Sequence, residues 1–328
     1  MRKTAVLLIN LGTPEAPTEA AVREYLREFL WDPRVVEIPR VIWWFILNGF
    51  VLRKRPAISA RAYQKVWTEQ GSPLMSNSQK IREGLQVMAD EQDAGKYQFV
   101  LSMRYGKPSI ASAIEEIKQL DVDEVIILPL YPQFATSSTG TAWHEFKRVY
   151  TQWVGAPLSK GIKQYHDNST YIGALAESIR RYWGEHGRAE CLVMSFHGVP
   201  ERTITQGDPY LMQCQQTAQL LAESLNLKNT EWRLVFQSRF GRAEWIKPYC
   251  VDVLQSLPEE GIKTVDVICP GFSADCLETL EEIALQNKHV FIQAGGEEYH
   301  YIPALNDDAM HIEALYSLVL NGGFQEDV

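Results

Sequence analysis

The sequence predicts an α/β doubly wound fold, organised as two similar halves that each contain a mainly parallel sheet flanked by helices. Short runs rich in Val, Ile and Leu alternate with amphipathic stretches of helical periodicity, as expected for parallel strands that are buried on both faces. Three short motifs also recur in the same order in the two halves, which indicates an internal repeat. The 328 residues suffice for two domains of ordinary size.

The first element is an apolar strand close to the amino terminus, and five further strands have the same composition. The six predicted strands span residues 4–10, 99–103, 125–128, 192–196, 234–237 and 265–269. Three predicted helices carry one apolar stripe each, and they span residues 21–30, 110–120 and 171–183. The first of them ends at Asp32-Pro33, because a residue before proline is biased away from helical geometry. Strands that alternate with helices in this way predict a parallel sheet.

Composition excludes several classes of protein. The formal net charge is −9, from 32 basic and 41 acidic residues, so sequence-independent binding of nucleic acid is not expected. No apolar run reaches the ~18 residues that a membrane-spanning helix needs. Five cysteines without a C-x-x-C pair predict a cytoplasmic protein without a disulfide framework. The glycine-rich nucleotide loops, the G-x-S-x-G motif and the H-E-x-x-H motif are absent.

The internal repeat indicates which strand ends matter for function. Each repeated motif follows a predicted strand, and the three pairs are 11–15 with 197–201, 103–106 with 238–241, and 128–131 with 269–272. Ligands of open α/β sheets bind at the carboxyl ends of the strands. The sequence therefore predicts that both halves present these turns to one cleft.

The first half is longer than the second between matching motifs, and the excess contains the most apolar stretch of the chain. Residues 41–52 read VIWWFILNGFVL, and a basic run, Arg53-Lys54-Arg55, follows. The aromatic residues of the stretch are Trp43, Trp44, Phe45 and Phe50. Two interpretations stay open: a buried core helix, or an exposed lip that contacts a large apolar ligand or a membrane surface. The second predicts peripheral contact with the inner face of the cytoplasmic membrane.

One histidine and two glutamates are the candidates for chemistry. His197 directly follows a predicted strand, and its counterpart in the first half is the apolar Leu11, so it either caps a turn or serves in chemistry. Glu278 stands three residues after Asp275, which is the spacing of a capping box. Alternatively, Glu278 and Glu282 form an acidic ridge along one helix face, which suits a divalent cation. The residues alone leave both alternatives for Glu278 open.

Two motifs closely resemble those of the ferrochelatases. They are SFHGVPER, which contains His197, and CPGFSADCLETLEEI, which contains Glu278. Further segments resemble the same family in family order, and they read LLINLGTPEAP, VWTEQGSPL, MRYGKP, LPLYPQFATSSTGTA, FQSRFGRAEW and YHYIPALND. The resemblance covers essentially residues 4–320.

The resemblance implies two Rossmann-like domains with a porphyrin cleft between them. The first would comprise residues 1–168 with a C-terminal helix near 308–322, and the second residues 169–307. The implied enzyme is a lyase that inserts ferrous iron into protoporphyrin IX to form protoheme, releases two protons and completes heme biosynthesis. Iron is then a substrate, and no prosthetic group is implied. Some relatives hold an iron–sulfur cluster near the C-terminus, but no cysteine follows Cys276 here, so no such cluster is expected.

By resemblance, His197 and Glu278 are the catalytic residues and the metal ligands, and Glu282 continues a carboxylate path for the metal. Where the family often has a further carboxylate, this sequence has Gln286. The positions that match the porphyrin pocket are Leu11, Arg53, Arg55, Tyr63, Ser72, Arg104, Tyr105 and Trp245. Leu11 favours protoporphyrin IX, since relatives that act on coproporphyrin tend to carry Tyr there.

The implied chemistry is physically coherent. A histidine can accept pyrrole protons near neutral pH, and a carboxylate can hold the ion or receive protons. Bending the macrocycle exposes the nitrogen lone pairs, and a tight apolar cleft favours such strain. The alternatives are a non-catalytic heme or porphyrin carrier, which needs no acidic ridge, and a related chelatase that acts on coproporphyrin III or inserts cobalt. The apolar residues 41–52 argue against the cobalt enzyme, whose more acidic tetrapyrrole needs a basic cleft.

Overall fold

The computed structural model describes residues 2–241 and 243–321, together with the backbone of 324–326. The strands in these ranges are β1 (Thr4–Gly12), β2 (Tyr97–Tyr105), β3 (Glu124–Pro129), β4 (Leu158–Ile162), β5 (Cys191–His197), β6 (Trp232–Gln237), β7 (Thr264–Ile268), β8 (Glu298–Tyr301) and β9 (Phe324–Glu326). The α-helices are α1 (Glu19–Trp31), α2 (Arg40–Ile46), α3 (Leu52–Val66), α4 (Pro73–Gln92), α5 (Ile110–Lys118), α6 (Thr141–Tyr150), α7 (Ser169–His186), α8 (Glu201–Thr205), α9 (Tyr210–Ser224), α10 (Cys250–Ser256), α11 (Lys288–Gln293) and α12 (Ala309–Asn321). The π-helices are π1 (Leu47–Val51), π2 (Thr136–Gly140) and π3 (Glu278–Asn287).

The first compact unit is formed by residues 1–130, 135–163 and 315–328. Its sheet has the order β2-β1-β3-β4-β9, in which the first four strands are parallel and β9 is antiparallel to β4. The central strands are almost wholly buried, as their unbroken apolar composition predicts. Helix α5 begins after Ser109, whose hydroxyl accepts the backbone N–H of Ser112, and it packs Ile114 and Ile117 into this core.

The second compact unit is formed by residues 131–134 and 164–314. Its sheet has the order β6-β5-β7-β8, and all four strands are parallel. Helix α7 begins after Asn168, whose side chain accepts the backbone N–H groups of Thr170 and Tyr171. It ends before Gly187, whose φ of 84° favours glycine and stops the helix.

Both units thus contain four parallel strands in the same spatial order. In each unit the first strand along the chain has the second strand on one side and the third strand on the other, and the fourth strand lies beyond the third. This confirms the predicted fold class of two similar α/β domains with mainly parallel sheets flanked by helices. The chain enters the second unit briefly at residues 131–134 and again after Lys163, and the sequence suggested a boundary after residue 168. Helix α12 contributes residues to both units, with the division after Ala314.

The structure corrects the alignment of one repeated motif. Met103 N–H donates to the carbonyl of Pro108 at 2.7 Å, and Phe236 N–H donates to the carbonyl of Pro248 at 2.8 Å. These matching bonds make Met103 the counterpart of Phe236, whereas the motif comparison paired Met103 with Ser238. The error arose because the loop between the strand and its proline is longer in the second unit.

Candidate functional site

His197 is the last residue of β5 and is half-buried. Its Nδ1 lies 2.6 Å from the carbonyl oxygen of Gly198. A carbonyl oxygen can only accept a hydrogen bond, so Nδ1 carries the proton, and Nε2 of the neutral ring keeps its lone pair. The turn therefore fixes the tautomer in which Nε2 can serve as a base or as a metal ligand.

The turn after His197 needs a glycine because two groups approach it closely. A Cβ atom on Gly198 would lie 2.9 Å from the backbone oxygen of Gln237 and 3.1 Å from Cε3 of Trp245. The Trp245 ring centroid is 6.5 Å from that of His197, and its buried indole N–H has no hydrogen-bond partner in the described part of the chain. Buried donors without a partner are rare, so the surroundings of His197 contain an unused donor.

Glu278 and Glu282 lie on π3 and not on the α-helix that their spacing predicted. A π-helix usually occurs as a single turn, frequently at a functional site, but π3 is ten residues long. Both glutamates are half-buried. Burial raises the pKa of Glu282, and the negative charge of Glu278 adds to this rise.

The capping-box interpretation of Glu278 is wrong. The hydroxyl of Thr279 donates a hydrogen bond to the carboxylate of Asp275 at 2.8 Å and accepts one from the backbone N–H of Cys276 at 3.0 Å. The backbone N–H of Asp275 donates to Oδ1 of Asn306 at 2.8 Å, so Glu278 takes no part in the cap. Glu278 instead interacts with the Cys276 thiol, whose pKa is raised by burial and then by the charge and hydrogen bonding of Glu278.

Neutral donors hold the Glu282 carboxylate. The backbone N–H of Ser238 donates to Oε1 at 2.7 Å, the Ser238 hydroxyl donates to Oε2, and Nε2 of Gln237 lies 3.5 Å from Oε2. Burial raises the pKa of Glu282, whereas the Ser238 hydrogen bonds act in the opposite direction. Gln237 lies opposite His197 in the sheet and donates from Nε2 to the backbone carbonyl of Glu278 at 3.0 Å, which brings the end of β5 and π3 into one site.

A pH-dependent stability difference should follow from the raised pKa of Glu282. The folded state binds more protons at this carboxyl than the unfolded chain does above the ordinary value of 4.5, so Glu282 destabilises the fold as the pH rises. We expect Glu282→Gln to have a higher Tm than the unsubstituted protein at pH 8, with a difference that shrinks toward pH 4.5. Thermal melts across this range would check it, with the exposed Glu185→Gln as control. A difference independent of pH would contradict it.

Gln237 and Ser238 are not among the residues predicted from the sequence, although both lie in a segment that resembles the family. Gln237 is the residue directly opposite His197 in the pairing of β5 with β6. The pairing of β5 with β6 is the signal that could have identified these two residues. The motif comparison concealed this signal because it paired Met103 with Ser238 instead of Phe236.

In the first unit, Arg104 and Tyr105 bind a buried carboxylate, Asp32. The Arg104 guanidinium forms an ion pair with Oδ2 of Asp32 and donates from Nε to the carbonyl of Thr141 at 3.0 Å. The Tyr105 hydroxyl donates to the same Oδ2 at 3.0 Å. Tyr105 is 1% exposed, so the predicted contact with a porphyrin would need surface that this side chain lacks. Asp32, which the sequence marked only as a helix stop, organises the cluster.

The other predicted porphyrin-binding residues of the first unit differ in the surface they expose. Ser72 is buried and accepts a hydrogen bond from a neighbouring threonine at 2.8 Å, and Tyr63 is buried edge-on against a tryptophan. Leu11 and Arg55 are half-buried, and Arg53 is exposed. Of these five residues, the last three therefore have the most surface to offer a ligand.

The apolar segment belongs to a continuous helical stretch formed by α2, π1 and α3. Trp44 is 50% exposed, Phe45 62% and Phe50 69%. Trp43 departs from the prediction: it is buried, and its indole N–H donates to the carbonyl of Leu30 at 2.7 Å, which joins α2 to the end of α1. The segment thus has one side in the core and one side open. Among the described residues, no helix is both long and apolar enough to cross a membrane.

Within the described ranges, no cluster of three or more His, Cys, Asp and Glu side chains is arranged to hold a metal ion. His197 and Glu278, the two predicted ligands, both belong to the second unit. Two ligands would leave most coordination positions of a divalent ion open, as expected for an ion that passes through a site and unlike a structural site.

Comparison with known proteins identifies close relatives. The family model for ferrochelatase matches residues 3–322. The chain is 53% identical to the ferrochelatase of Nitrosococcus oceani over 317 residues, which cover 97% of this chain and 86% of that protein. It is also 53% identical to the ferrochelatase of Methylococcus capsulatus, with 97% of this chain and 96% of that protein covered.

Solved structures resemble the fold at much lower sequence identity. SirB from Bacillus subtilis with Fe³⁺ superposes with a TM-score of 0.60 and 13% identity, and the match covers 99% of this chain and 100% of that chain. A sirohydrochlorin chelatase, SirB from Bacillus subtilis subspecies spizizenii in complex with cobalt, gives a TM-score of 0.55 at 12% identity, over 98% and 95% of the two chains. These likenesses concern the fold alone.

Proposed function

Because the chain belongs to the ferrochelatase family, whose substrates are a porphyrin and a metal ion, we propose that it inserts ferrous iron into protoporphyrin IX with His197 and Glu278 as the catalytic residues. The observation that carries this proposal is the hydrogen bond from Nδ1 of His197 to Gly198, which leaves Nε2 as a free base. Family membership makes the protein a metal chelatase and leaves the carrier alternative without support.

The stoichiometry of the reaction requires more than one proton acceptor. Each Fe²⁺ that enters the macrocycle replaces two pyrrole protons, so the four nitrogens bind the metal as a dianion. Nε2 of neutral His197 accepts a pyrrole proton, and the resulting imidazolium is stabilised by the Glu278 and Glu282 carboxylates on π3. One of these carboxylates takes the second proton or passes it to water.

The same groups suit ferrous iron as an incoming ion. Imidazole nitrogen and carboxylate oxygen are ligands that a borderline divalent metal accepts. His197 and Glu278 would hold the ion through few bonds and release it to the pyrrole nitrogens, and Glu282 would continue the path along π3. We propose that no iron–sulfur cluster is held after Cys276, because no further cysteine follows there in this sequence.

The proposed substrate can be tested directly against its closest alternative. The test is to measure kcat/KM under anaerobic conditions with Fe²⁺ and either protoporphyrin IX or coproporphyrin III. Half-buried Leu11 at the end of β1 offers apolar surface, which favours the less acidic macrocycle. A higher kcat/KM for protoporphyrin IX would support the proposal. A higher kcat/KM for coproporphyrin III would make that porphyrin the substrate, and the protein would still be a chelatase.

We also propose that the open side of the apolar segment touches an anionic membrane surface from the cytoplasmic side. Trp44, Phe45 and Phe50 offer aromatic surface at interfacial depth, and exposed Arg53 and Lys54 follow directly on α3. Apart from its two propionates, protoporphyrin is largely apolar, so a lip that touches the bilayer could receive it without passage through water. Such binding would be peripheral and would weaken with salt.

Removing two lip side chains should weaken membrane binding and porphyrin uptake together. We expect Trp44→Ser with Phe45→Ser to lower co-sedimentation with anionic vesicles about tenfold or more, since two aromatic side chains lose their interfacial burial. The KM for vesicle-bound porphyrin should rise several-fold and the KM for iron should not change.

The matched control for the lip variant is Val87→Ser with Val154→Ser, which removes exposed apolar side chains elsewhere in the first unit. This control should bind vesicles like the unsubstituted protein. Equal vesicle binding by both double variants would contradict the membrane proposal.

A further inference from the structure

A buried chain of hydrogen bonds leads from Ser195 through Gln237 to Glu282. The Ser195 hydroxyl donates to Oε1 of Gln237 at 2.8 Å, and the Cys269 thiol lies 3.6 Å from the same oxygen. On the other side of the amide, Nε2 donates to the backbone carbonyl of Glu278 at 3.0 Å and lies 3.5 Å from the Glu282 carboxylate. Ser195, Gln237 and Cys269 are all nearly inaccessible to solvent.

These partners allow one orientation of the Gln237 amide. Its oxygen faces two donors, a hydroxyl and a thiol, and its NH₂ group faces two acceptors, a carbonyl and a carboxylate. A flipped amide would place its oxygen against both acceptors, which a buried site penalises. The Glu278 carbonyl and the Glu282 carboxylate, which can only accept, therefore orient the amide NH₂ toward π3, and the Ser195 hydroxyl stabilises this orientation by donating to Oε1.

Ser238 adds two further donors through an unusual backbone conformation. Its φ is 67°, in the left-handed region that residues other than glycine seldom adopt. In this conformation both its backbone N–H and its hydroxyl donate to the Glu282 carboxylate. Strain of this kind persists where the surroundings enforce it, and it is concentrated at functional sites.

The first unit shows what a different choice of donors does at the same strand positions. The register correction makes Arg104 and Tyr105 the counterparts of Gln237 and Ser238, and they hold Asp32. The permanent charge of a guanidinium neutralises that carboxylate, so it cannot serve a second cation. The neutral donors of the second unit orient their carboxylate and leave its negative charge available.

We propose that Gln237 and Ser238 are positioning residues for iron delivery, which hold the Glu282 carboxylate in one orientation, and that Ser195 acts through Gln237 by fixing its amide. The inference rests on the proposed function, because it takes Glu282 as a carboxylate on the iron path. It predicts that loss of these donors affects the use of iron and spares the binding of porphyrin.

The first test compares iron and porphyrin kinetics in three variants. We expect Gln237→Leu to raise the KM for Fe²⁺ about tenfold, the order expected for a lost hydrogen bond to a charged group, with the KM for protoporphyrin IX within about twofold. Ser195→Ala should raise the KM for Fe²⁺ by a smaller factor, on the order of threefold. The control is Gln213→Leu, another buried amide of the second unit that is hydrogen-bonded on both sides. It should lower the Tm without changing either KM.

A double-mutant cycle then decides whether Gln237 acts through Glu282. Glu282→Gln alone should raise the KM for Fe²⁺, and adding Gln237→Leu should raise it no further. Fully additive effects, or an effect of Gln237→Leu when Glu282→Gln has none, would overturn the positioning role. If Glu282→Gln leaves the KM for Fe²⁺ unchanged, Glu282 does not lie on the iron path and the inference fails. If the effects of the two substitutions on this KM are additive, Glu282 stays on the iron path and only the positioning role of Gln237 is lost.

Discussion

His197→Ala is expected to lower kcat for iron insertion by at least ~100-fold, the loss typical of a removed general base. The fold should persist, because His197 is half-buried at a strand end and its one described hydrogen bond is to the adjacent Gly198. Anaerobic steady-state kinetics and thermal melts on the same preparation would measure both quantities. The control is His289→Ala, which removes an exposed histidine of the same unit and should keep full activity.

A role in chemistry can be separated from a role in folding by chemical rescue. Added imidazole should restore part of the activity of His197→Ala, since the lost group is an imidazole and its position at the end of β5 is half-buried. Turnover by His197→Ala within about threefold of the unsubstituted protein would remove this residue from the mechanism.

Glu278→Gln should reduce activity to a similar extent, by ~100-fold, with little change in Tm. The cap at the start of π3 is built by Asp275 and Thr279, so exchanging the Glu278 carboxylate for an amide would cost the helix no hydrogen bond of that cap. What the substitution removes is a negative charge beside the site of His197. Activity assays and thermal melts of the two variants Glu278→Gln and Thr279→Val would separate a role in catalysis from a role in the cap of π3.

Thr279→Val removes the hydroxyl that joins the cap and should lower the Tm. A fully active Glu278→Gln protein would show that catalysis does not need the Glu278 carboxylate. A lower Tm of this variant would show that Glu278 also contributes to the cap that Asp275 and Thr279 form.

The elements of the fold that could be predicted are those whose own residues carry the signal. Strands β1, β3, β5 and β7 are predominantly apolar and buried, and α1, α5 and α7 each have one apolar stripe. Strand β4 reads LSKGI and β8 reads EYHY, so neither resembles a buried strand. They lie in the sheets because β3 and β7 offer them an unpaired edge, which is a tertiary effect that local composition does not contain.

The site was predictable only in part for a related reason. His197 and Glu278 stand in motifs that resemble a known family, whereas Gln237 matters because of the residue opposite it in the sheet. The π-helical form of residues 278–287 was also hidden, since a spacing of four residues fits an α-helix equally well. Trp43 differs from Trp44 by one helix position, and only the packing on α1 shows which of them is buried.

The most direct test of the central claim is anaerobic turnover with catalytic amounts of protein, protoporphyrin IX and Fe²⁺, followed by the loss of free-porphyrin fluorescence. We expect each molecule of the unsubstituted protein to convert many equivalents of porphyrin, and we expect His197→Ala and Glu278→Gln to bind porphyrin but convert almost none. Binding of a single equivalent without further conversion, or conversion by both variants at the rate of the unsubstituted protein, would contradict it.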